Sequence, residues 1–384
     1  MTFTFATATQ IVFGAGALAA LAQQTPRLGR RALLVTGTNA MRATPAAELL
    51  VGAGVAVTTY RVPGEPTVDV LERGLIAARH DEVDFVVAMG GGSAIDTGKA
   101  IAALAPAPGP LLRYLEVIGQ AQPLEAEPLP FVAIPTTAGT GAEVTKNAVI
   151  ASPDEQVKVS LRDARMLPDL ALVDPTLTHD MPPSVTAATG LDALTQVIEP
   201  YVSPRANPLT DALCRDAIPR AAAALPRAFA DGSDAEARHD MALVSLSGGL
   251  ALANAGLGAV HGFAGPLGGL LTAPHGAICG RLLPIVSDVN VTALRSRAPE
   301  DPAGARYDEV ARLLTGRADA VAADGVVWLD ALATELGVPG LAHYGLDDEG
   351  VARTVPAAQR ASSMQANPIE LTVDELTGIL RRAC

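Results

Sequence analysis

The first 178 residues alternate short β-branched runs with stretches rich in alanine and leucine, and this alternation restricts the fold more than any other feature of the chain. The runs that predict strands are 32–36, 54–60, 85–89, 131–134 and 170–173, and the segment 70–80 has helical spacing. Strands separated by helices predict a parallel, doubly wound sheet. We therefore expect an α/β domain over residues 1–178.

The remainder of the chain has a different character. From about residue 182 it consists of long segments rich in alanine and leucine with helical spacing, such as 211–230 and 235–257, and no convincing strand follows. These patterns predict a second, all-helical domain over residues 179–384. The segment 177–183 (LTHDMPP) is the predicted joint, because its paired prolines resist continuing either a strand or a helix.

The composition excludes several classes of protein. A chain of 384 residues, of which 49% are hydrophobic and 18% charged, is long and apolar enough to bury two cores. The formal net charge is −13 and no basic cluster occurs, so binding to nucleic acid by phosphate neutralisation is not expected. Glycine, proline or charge interrupts the apolar stretches before about 18 residues, and the N-terminus lacks a signal-peptide pattern, so no membrane segment is expected.

The cysteines indicate the redox compartment. Cys214, Cys279 and Cys384 are widely spaced and form no CxxC pair. This spacing indicates neither a disulfide framework nor a zinc site built from thiolates, and it is typical of a reducing compartment. We therefore expect a cytoplasmic protein.

A glycine-rich segment directly follows the predicted strand 85–89. Gly91, Gly92 and Ser93 lie where this strand passes into a helix, so the backbone is open to a charged group approaching the N–H groups of the first helical turn. A pyrophosphate would fit such a turn. The segment is neither GxGxxG nor a Walker loop, however, and a plain strand–helix turn capped by Ser93 explains it equally well.

A second polar loop favours the ligand-binding interpretation. The segment 134–141 (IPTTAGTG) follows another predicted strand and offers the hydroxyls of Thr136, Thr137 and Thr140 among small residues. Two such loops after parallel strands lie at the carboxyl edge of the sheet, where α/β folds bind nucleotides.

Four polar side chains in the C-terminal half are candidate metal ligands. Asp192 and Gln196 stand four residues apart on one face of a predicted helix, in an apolar context where an unpaired carboxylate would be costly. His261 is expected at the end of an apolar helix and His275 near a helix start; together the four could hold a divalent cation beside an alcohol oxygen. Each also has a structural interpretation, since a helical histidine is more often a hydrogen-bonded core residue, and Asp192 could cap a helix or pair with an arginine.

Seven motifs occur in a distinctive order along the chain. They are 11–14 (IVFG), 90–99 (GGGSAIDTGK), 135–145 (PTTAGTGAEVT), 167–178 (LPDLALVDPTLT), 188–196 (ATGLDALTQ), 260–262 (VHG) and 274–276 (PHG). With these motifs, nearly the whole chain resembles the iron-containing (group III) alcohol dehydrogenase family. The resemblance implies a dehydroquinate synthase-like architecture: an N-terminal dinucleotide-binding domain, a helical C-terminal domain, and an active site in the cleft between them.

The resemblance also implies site residues. Those on the pyrophosphate side of NAD or NADP would be Gly91, Gly92, Ser93 and Asp96, and those around the rest of the dinucleotide would be Thr136, Thr137, Thr140, Lys158 and Leu177. Asp192, His261 and His275 match three of the family's four ligands to one divalent metal ion, which would be Fe²⁺ or Zn²⁺.

The chain departs from the family pattern at three positions. Gln196 stands where the family usually has a histidine, and because an amide oxygen is a poorer ligand than imidazole, we expect weaker metal binding or a water that completes the coordination. Gly265 replaces a histidine that some members carry near the substrate, so no proton relay is assigned there. Gly37 follows the strand 32–36 in place of an acidic residue that often contacts the ribose, so a 2′-phosphate is acceptable and Arg42 could pair with it.

These features predict an NAD(P)-dependent oxidoreductase that interconverts a small alcohol and its aldehyde or ketone by metal-assisted hydride transfer. No catalytic residue is assigned beyond the metal site. Three alternatives stay open: a metal-free reductase resembling maleylacetate reductase, a lyase resembling dehydroquinate synthase, and a nucleotide-binding protein that has lost catalysis. The expected pocket lining, Tyr201, Phe263 and Met364, is apolar and suits a small or aliphatic substrate, and a homodimer is the default assembly.

Overall fold

The computed structural model describes residues 2–384, which separate into two units. One unit consists of Thr7–Thr137 and Gly141–Thr178, and the other contains the residues up to Ala6, the short segment Ala138–Thr140 and His179–Cys384. The chain passes between the units at Thr178, within the segment 177–183 that the sequence predicts as a joint.

Eight strands lie in the N-terminal unit. They are β1 (Gln10–Phe13), β2 (Arg31–Thr36), β3 (Ala56–Arg61), β4 (Phe85–Gly90), β5 (Phe131–Pro135), β6 (Asn147–Ser152), β7 (Val157–Arg162) and β8 (Leu170–Val173). Six of them form one sheet in the order β1-β8-β5-β4-β2-β3, with every neighbouring pair parallel. The parallel sheet predicted from the sequence is thereby confirmed.

Both faces of this sheet are covered, as a doubly wound fold requires. The helices of the unit are α1 (Leu21–Gln24), α2 (Thr44–Gly52), α3 (Val68–His80) and α4 (Gly92–Leu104). Strand β4 is buried along its whole length, with Val86 and Ala88 in one hydrophobic core and Phe85, Val87 and Met89 in another. Successive strand residues point to opposite faces, so the sheet divides two apolar cores.

Three strands of this unit were not predicted. Strand β1 has only four residues and pairs with β8 alone, at the edge of the sheet. Strands β6 and β7 form a separate antiparallel hairpin, whose inward residues Ala148, Ile150 and Leu161 join a core of the main sheet. Apolar residues alternate with polar ones in β7 (VKVSLR) but not in β6 (NAVIAS), and a pattern of only six residues is difficult to distinguish from loop sequence.

The C-terminal unit is helical, and its described residues contain no strand. Its helices are α5 (Pro183–Val202), α6 (Pro208–Ala230), α7 (Ala235–Ala255), α8 (Ala259–Leu270), α9 (His275–Arg297), α10 (Pro302–Thr315), α11 (Ala322–Glu335), α12 (Asp348–Arg360) and α13 (Val373–Ala383). They share one hydrophobic core built largely from alanine, leucine, valine and isoleucine. The predicted all-helical character is confirmed.

The expected single helix over 235–257 ends earlier than predicted. Helix α7 stops at Ala255 because Gly256 adopts a φ of +74°, in the region that glycine reaches without strain. Helix α8 then begins at Ala259, at an angle of 101° to α7. His261 therefore lies in the first turn of α8, and its expected position at the end of a helix is wrong.

One helix of the described chain, α9, is long and apolar enough to cross a membrane by length and composition, and the bent pair α7 and α8 passes the same test if taken as one span. In α9, however, 78% of the apolar window is buried inside the protein. This is the packing of a core helix, which passes the same test as a membrane span.

Candidate metal centre and cofactor cradle

Helix α5 carries three buried polar side chains on one face. Asp192, Gln196 and Glu199 follow one another at intervals of four and three residues, so they stand in line along the helix. Their exposed fractions are 2%, 3% and 5%. Burying two carboxylates this deeply costs free energy unless each has a hydrogen-bond or ionic partner. The partners of Asp192 and Glu199 therefore indicate the role of this helix face.

Glu199 holds the start of helix α8. Its Oε1 accepts a hydrogen bond from the backbone N–H of Val260 at 2.7 Å, and its Oε2 lies 2.6 Å from Nδ1 of His261. The imidazole therefore donates its Nδ1–H to Glu199, and its Nε2 faces Asp192 Oδ1 at 3.3 Å. A carboxylate that fixes one ring nitrogen and leaves the other free is the usual support of a metal-binding histidine.

Helix α9 adds two further side chains. His275 is its first residue and Cys279 lies one turn later on the same face. His275 Nε2 is 3.8 Å from Asp192 Oδ1, and Cys279 Sγ is 3.7 Å from His275 Nε2 and 3.9 Å from His261 Nε2. One potential ligand atom from each of Asp192, His261, His275 and Cys279 lies within 4.8 Å of all the others. We call these four residues the ligand cluster.

Two glycines allow α9 to lie against α5. A Cβ at Gly276 would lie 2.0 Å from the carbonyl oxygen of Ala188, and a Cβ at Gly280 would lie 2.5 Å from Leu191 Cδ1. Any larger residue would push the helices apart. The close approach therefore sets the positions of His275 and Cys279 relative to Asp192.

The charges within the ligand cluster stabilise one another. Burial alone would raise the pKa of Asp192, but His261 and His275 outweigh it and hold that pKa below its usual value. Burial would likewise lower the pKa of His261, yet Cys279, Asp192 and Glu199 raise it well above the ordinary range. In protein without a cation, protons on the imidazoles balance the buried carboxylates, and these are the protons that a cation would displace.

Gln196 supports the fit of a cation to this site. Its Oε1 is buried and has no hydrogen-bond partner, while the Gln196 amide lies near enough to Asp192 to help lower the pKa of that carboxyl. An unsatisfied buried oxygen costs about 1–3 kcal/mol unless it gains a partner. A buried set of carboxylate, imidazole, thiol and free amide oxygen suits a divalent transition metal.

The glycine-rich segment lies at the carboxyl end of β4, as predicted. Gly91 precedes the first turn of α4 without any side-chain cap, and Gly92 and Ser93 are half-buried. A Cβ at Gly90 would lie 2.6 Å from that of Ala94, so the turn is too tight for a side chain there. Uncapped N–H groups at the start of a helix attract an anion such as a phosphate. We call Gly91, Gly92 and Ser93 the phosphate cradle.

The second polar loop begins beside the first. Thr136 donates its backbone N–H to the carbonyl oxygen of Gly90 at 2.9 Å, and a Cβ at Gly91 would lie 3.3 Å from Thr137 Cγ2. Thr136 and Thr137 therefore lie next to the phosphate cradle. Thr140 belongs to the segment Ala138–Thr140, which is counted with the helical unit.

The other residues implied for the cofactor have partners within the protein. Asp96 accepts the backbone N–H of Val149 at 3.0 Å, and Lys158 Nζ lies 2.8 Å from Glu65 Oε2. The carbonyl oxygen of Leu177 accepts a hydrogen bond from Arg42 at 3.0 Å. The side chain of Arg42, which was named as one that could pair with a 2′-phosphate, is thus engaged with the backbone.

The three side chains expected to line the substrate pocket differ in exposure. Tyr201 and Phe263 are completely buried in the core of the helical unit, so their assignment to an accessible pocket lining is wrong. Met364 is half-buried, and a Cβ at Gly262 would lie 2.8 Å from its Cε. Met364 therefore packs against α8 at Gly262, the residue after His261. A separate cavity of about 730 Å³ in the N-terminal unit is lined by Leu177 but not by the phosphate cradle.

Two profiles of known protein families match this chain. The sequence profile of iron-containing alcohol dehydrogenases matches residues 8–175, and that of the C-terminal region of the Fe-containing alcohol dehydrogenase family matches residues 186–384. The chain belongs to the iron-containing alcohol dehydrogenase family. It is accordingly an oxidoreductase of alcohols and their carbonyl counterparts.

Individual members of the iron-containing alcohol dehydrogenase family match over nearly the full length. Alcohol dehydrogenase 4 of Schizosaccharomyces pombe is 36% identical over 97% of this chain and 87% of its own length. The crystal structure of a 1,3-propanediol oxidoreductase superposes with a TM-score of 0.92 at 32% identity, covering 100% of both chains. Sulfoacetaldehyde reductase from Bifidobacterium kashiwanohense, solved in complex with NAD⁺, has a TM-score of 0.87 at 29% identity and covers 99% of this chain and 98% of its own.

Three residues at the candidate sites of this iron-containing alcohol dehydrogenase were not predicted from the sequence. Glu199 continues the spacing of Asp192 and Gln196 along one helix face, and Cys279 follows His275 by one helical turn. Both signals were available, but no CxxC pair drew attention to the cysteine. Lys99 is the third: its buried Nζ donates to the carbonyl oxygens of Ala142 and Asn147 and to Thr145 Oγ1 at 2.7–3.0 Å, which ties α4 to the segment that follows the second polar loop.

Proposed function

We propose that this protein interconverts a small alcohol and its aldehyde or ketone, using NAD or NADP and one divalent metal ion held by Asp192, Gln196, His261 and His275. The convergence of one ligand atom from each of Asp192, His261 and His275 within 4.8 Å, on three helices, carries the proposal, and the unpartnered Oε1 of Gln196 supports it as the fourth ligand. When bound, such an ion acts as a Lewis acid on the substrate oxygen. The alcohol named for the matched 1,3-propanediol oxidoreductase is a small one, and this supports a small substrate here.

The side chains of this protein prepare that chemistry. Glu199 keeps the proton of His261 on Nδ1, so the lone pair of Nε2 is directed at the ligand cluster. The phosphate cradle would hold the pyrophosphate of the dinucleotide through backbone N–H groups. Asp96, Thr136, Thr137, Thr140, Lys158 and Leu177 are proposed to complete the cofactor site. The nicotinamide itself supplies the hydride chemistry.

Two features of the proposal concern the setting of the enzyme. The cysteines are all free, and this fits a reducing compartment such as the cytoplasm. A homodimer is proposed as the default assembly of such an enzyme. Neither nucleic acid nor a membrane is proposed as a partner.

Metal removal tests the proposal most directly. We expect the purified protein to contain about one divalent cation per chain, chelation to abolish alcohol-dependent formation of NADH or NADPH, and added Zn²⁺ or Fe²⁺ to restore it. Asp192→Asn should lose both metal and activity, whereas Asp348→Asn, at a side chain 91% exposed, should retain both. Elemental analysis and reduced-nucleotide absorbance provide the two readouts.

The same assay separates the alternatives. Full activity of metal-free protein would contradict the proposal and favour a reductase resembling maleylacetate reductase. A lyase resembling dehydroquinate synthase would not accumulate reduced nucleotide when an alcohol is supplied. A binding protein without catalysis would take up nucleotide but show no turnover with any metal.

A further inference from the structure

The ligand cluster contains a thiol that family resemblance does not assign. We propose that Cys279 Sγ is a ligand of the divalent cation, that it compensates for the imidazole missing at Gln196, and that it makes the site select Zn²⁺ over Fe²⁺. This inference rests on the proposed function, because it requires that Asp192, His261 and His275 bind a cation.

Four distances between ligand atoms of the cluster lie at or within 0.3 Å of the edges of a coordination tetrahedron. Zinc bonds of about 2.0–2.3 Å to oxygen, nitrogen and sulfur, arranged tetrahedrally, separate neighbouring ligand atoms by about 3.3–3.6 Å. The observed separation is 3.3 Å between His261 Nε2 and Asp192 Oδ1, and 3.8 Å between His275 Nε2 and Asp192 Oδ1. Cys279 Sγ lies 3.7 Å and 3.9 Å from the two imidazole nitrogens. The sulfur therefore stands close to a fourth ligand position, and the substrate oxygen of the proposed function would bind as an additional ligand, as catalytic zinc sites allow.

The position of Cys279 is set by the helix packing. It is fully buried, it forms no disulfide, and its sulfur contacts both imidazoles. Gly276 and Gly280 flank it in sequence and allow α9 to approach α5 closely. The backbone therefore presents the thiol to the cluster without any rearrangement of the helices.

The chemistry of the donor set favours zinc. Thiolate and imidazole ligands suit Zn²⁺, and sites of this kind bind Zn²⁺ more tightly than Fe²⁺ in the general order of divalent metals. The sulfur at position 279 shifts the site towards zinc, whereas the amide oxygen at position 196 is a harder donor than imidazole and contributes nothing to that preference. On binding, the Cys279 thiol loses its proton to solvent, and the resulting thiolate forms the bond to the metal.

Cobalt substitution tests the sulfur ligand without depending on activity. The full-length protein is freed of metal with a chelator and reloaded with Co²⁺ under anaerobic conditions. We expect an intense sulfur-to-cobalt charge-transfer absorption in the near ultraviolet, and X-ray absorption of the Zn²⁺ form should show a sulfur neighbour at about 2.3 Å. The X-ray measurement needs no variant, so it holds even if a substituted protein fails to fold.

Serine variants of two cysteines identify which sulfur binds the metal. Cys279→Ser should lose the charge-transfer band. Loss of a residue that only hydrogen-bonds to a metal ligand lowers metal affinity about 10- to 100-fold, and we expect the loss of a direct ligand to lower Zn²⁺ affinity by at least as much. Cys384→Ser is the matched control, because that cysteine is exposed and lies outside the ligand cluster, and it should retain both properties. In competition between equal concentrations of Zn²⁺ and Fe²⁺, the unsubstituted protein should take up Zn²⁺ and Cys279→Ser should discriminate less.

The outcomes separate this inference from the proposed function. A protein that binds one Co²⁺ without a sulfur band, and Zn²⁺ without a sulfur neighbour, would overturn the role of Cys279 and leave the metal-dependent function intact. A protein that binds no divalent metal would overturn both. Preferential uptake of Fe²⁺ by the unsubstituted protein would overturn the proposed selectivity.

Discussion

At the scale of single residues, the most informative feature is the pair of contacts that Glu199 makes. One carboxylate oxygen caps the start of α8 through Val260, and the other holds Nδ1 of His261. The same side chain therefore positions both the helix and the imidazole it carries. A buried carboxylate in this arrangement is retained because each of its oxygens has a hydrogen-bond donor.

Glu199→Gln tests this positioning role. The amide can accept only one of the two hydrogen bonds and presents an N–H₂ group to the other donor, so His261 loses its fixed orientation. We expect metal affinity to fall about 10- to 100-fold while the protein stays folded. The measurement is a metal-competition titration with circular dichroism as a check on folding. Glu335→Gln, on the exposed face of α11, serves as the control, and equal affinities in the two variants would contradict the role.

At the scale of secondary-structure elements, function is concentrated where elements end. Strand β4 delivers the phosphate cradle to the start of α4, and the break between α7 and α8 brings His261 to the first turn of a helix. The start of a helix has unpaired N–H groups that can bind a ligand, and a break between helices changes the direction of the chain. The middle of a helix or strand offers neither. The end of β2 is a further functional candidate of this kind, because it is followed directly by Gly37, at the position where an acidic residue often contacts the ribose of the cofactor.

Gly37→Asp tests how the end of β2 affects the choice of cofactor. A Cβ at this position would meet no atom within 4 Å, so a carboxylate can be accommodated. Because like charges placed together in an interface cost several kcal/mol, a 2′-phosphate should be repelled. We expect kcat/KM for NADPH to fall at least tenfold relative to NADH. Gly37→Asn, nearly equal in size but neutral, is the control, and an unchanged NADPH-to-NADH ratio in Gly37→Asp would contradict this assignment.

At the scale of the whole molecule, two buried charges link stability to pH. Burial raises the pKa of Glu143 to about 7, and burial lowers the pKa of Lys99 to about 8, while each charge partly offsets the effect on the other. Glu143 therefore contributes stability that is fully present below its ordinary pKa of 4.5 and is lost as the pH rises through about 7. Charged Lys99 lowers the free energy of unfolding, and this loss of stability disappears only as the pH rises from about 8 towards 10.5.

We therefore expect the free energy of unfolding to decline between about pH 4.5 and pH 7 through Glu143. Glu143→Gln should remove this part of the decline, because an amide does not titrate. Denaturant unfolding at a series of pH values, at constant metal content, measures the difference from the unsubstituted protein. Glu127→Gln, at a side chain 79% exposed, should leave the profile unchanged. A Glu143→Gln profile parallel to that of the unsubstituted protein would rule out the linkage.

The sequence by itself determined the fold class and most of the candidate ligands. The alternation of strands and helices is a local periodicity, so the parallel sheet, the helical C-terminal unit and the glycine turn after β4 could all be predicted. Asp192, Gln196, His261 and His275 were identified from residue type and motif. The short strands β1, β6 and β7 were missed because their patterns are too brief to stand out from loops.

Only the tertiary structure decided which side chains meet. Asp192 and His261 are 69 residues apart, and no periodicity relates residues on different helices. Their separation depends on how closely α5, α8 and α9 pack, and therefore on Gly276, Gly280 and the break at Gly256. The same packing brought Cys279 into the ligand cluster, although the spacing of the cysteines had argued against a thiolate site. Helix packing is a long-range property, so the donor set could be read only from the folded chain.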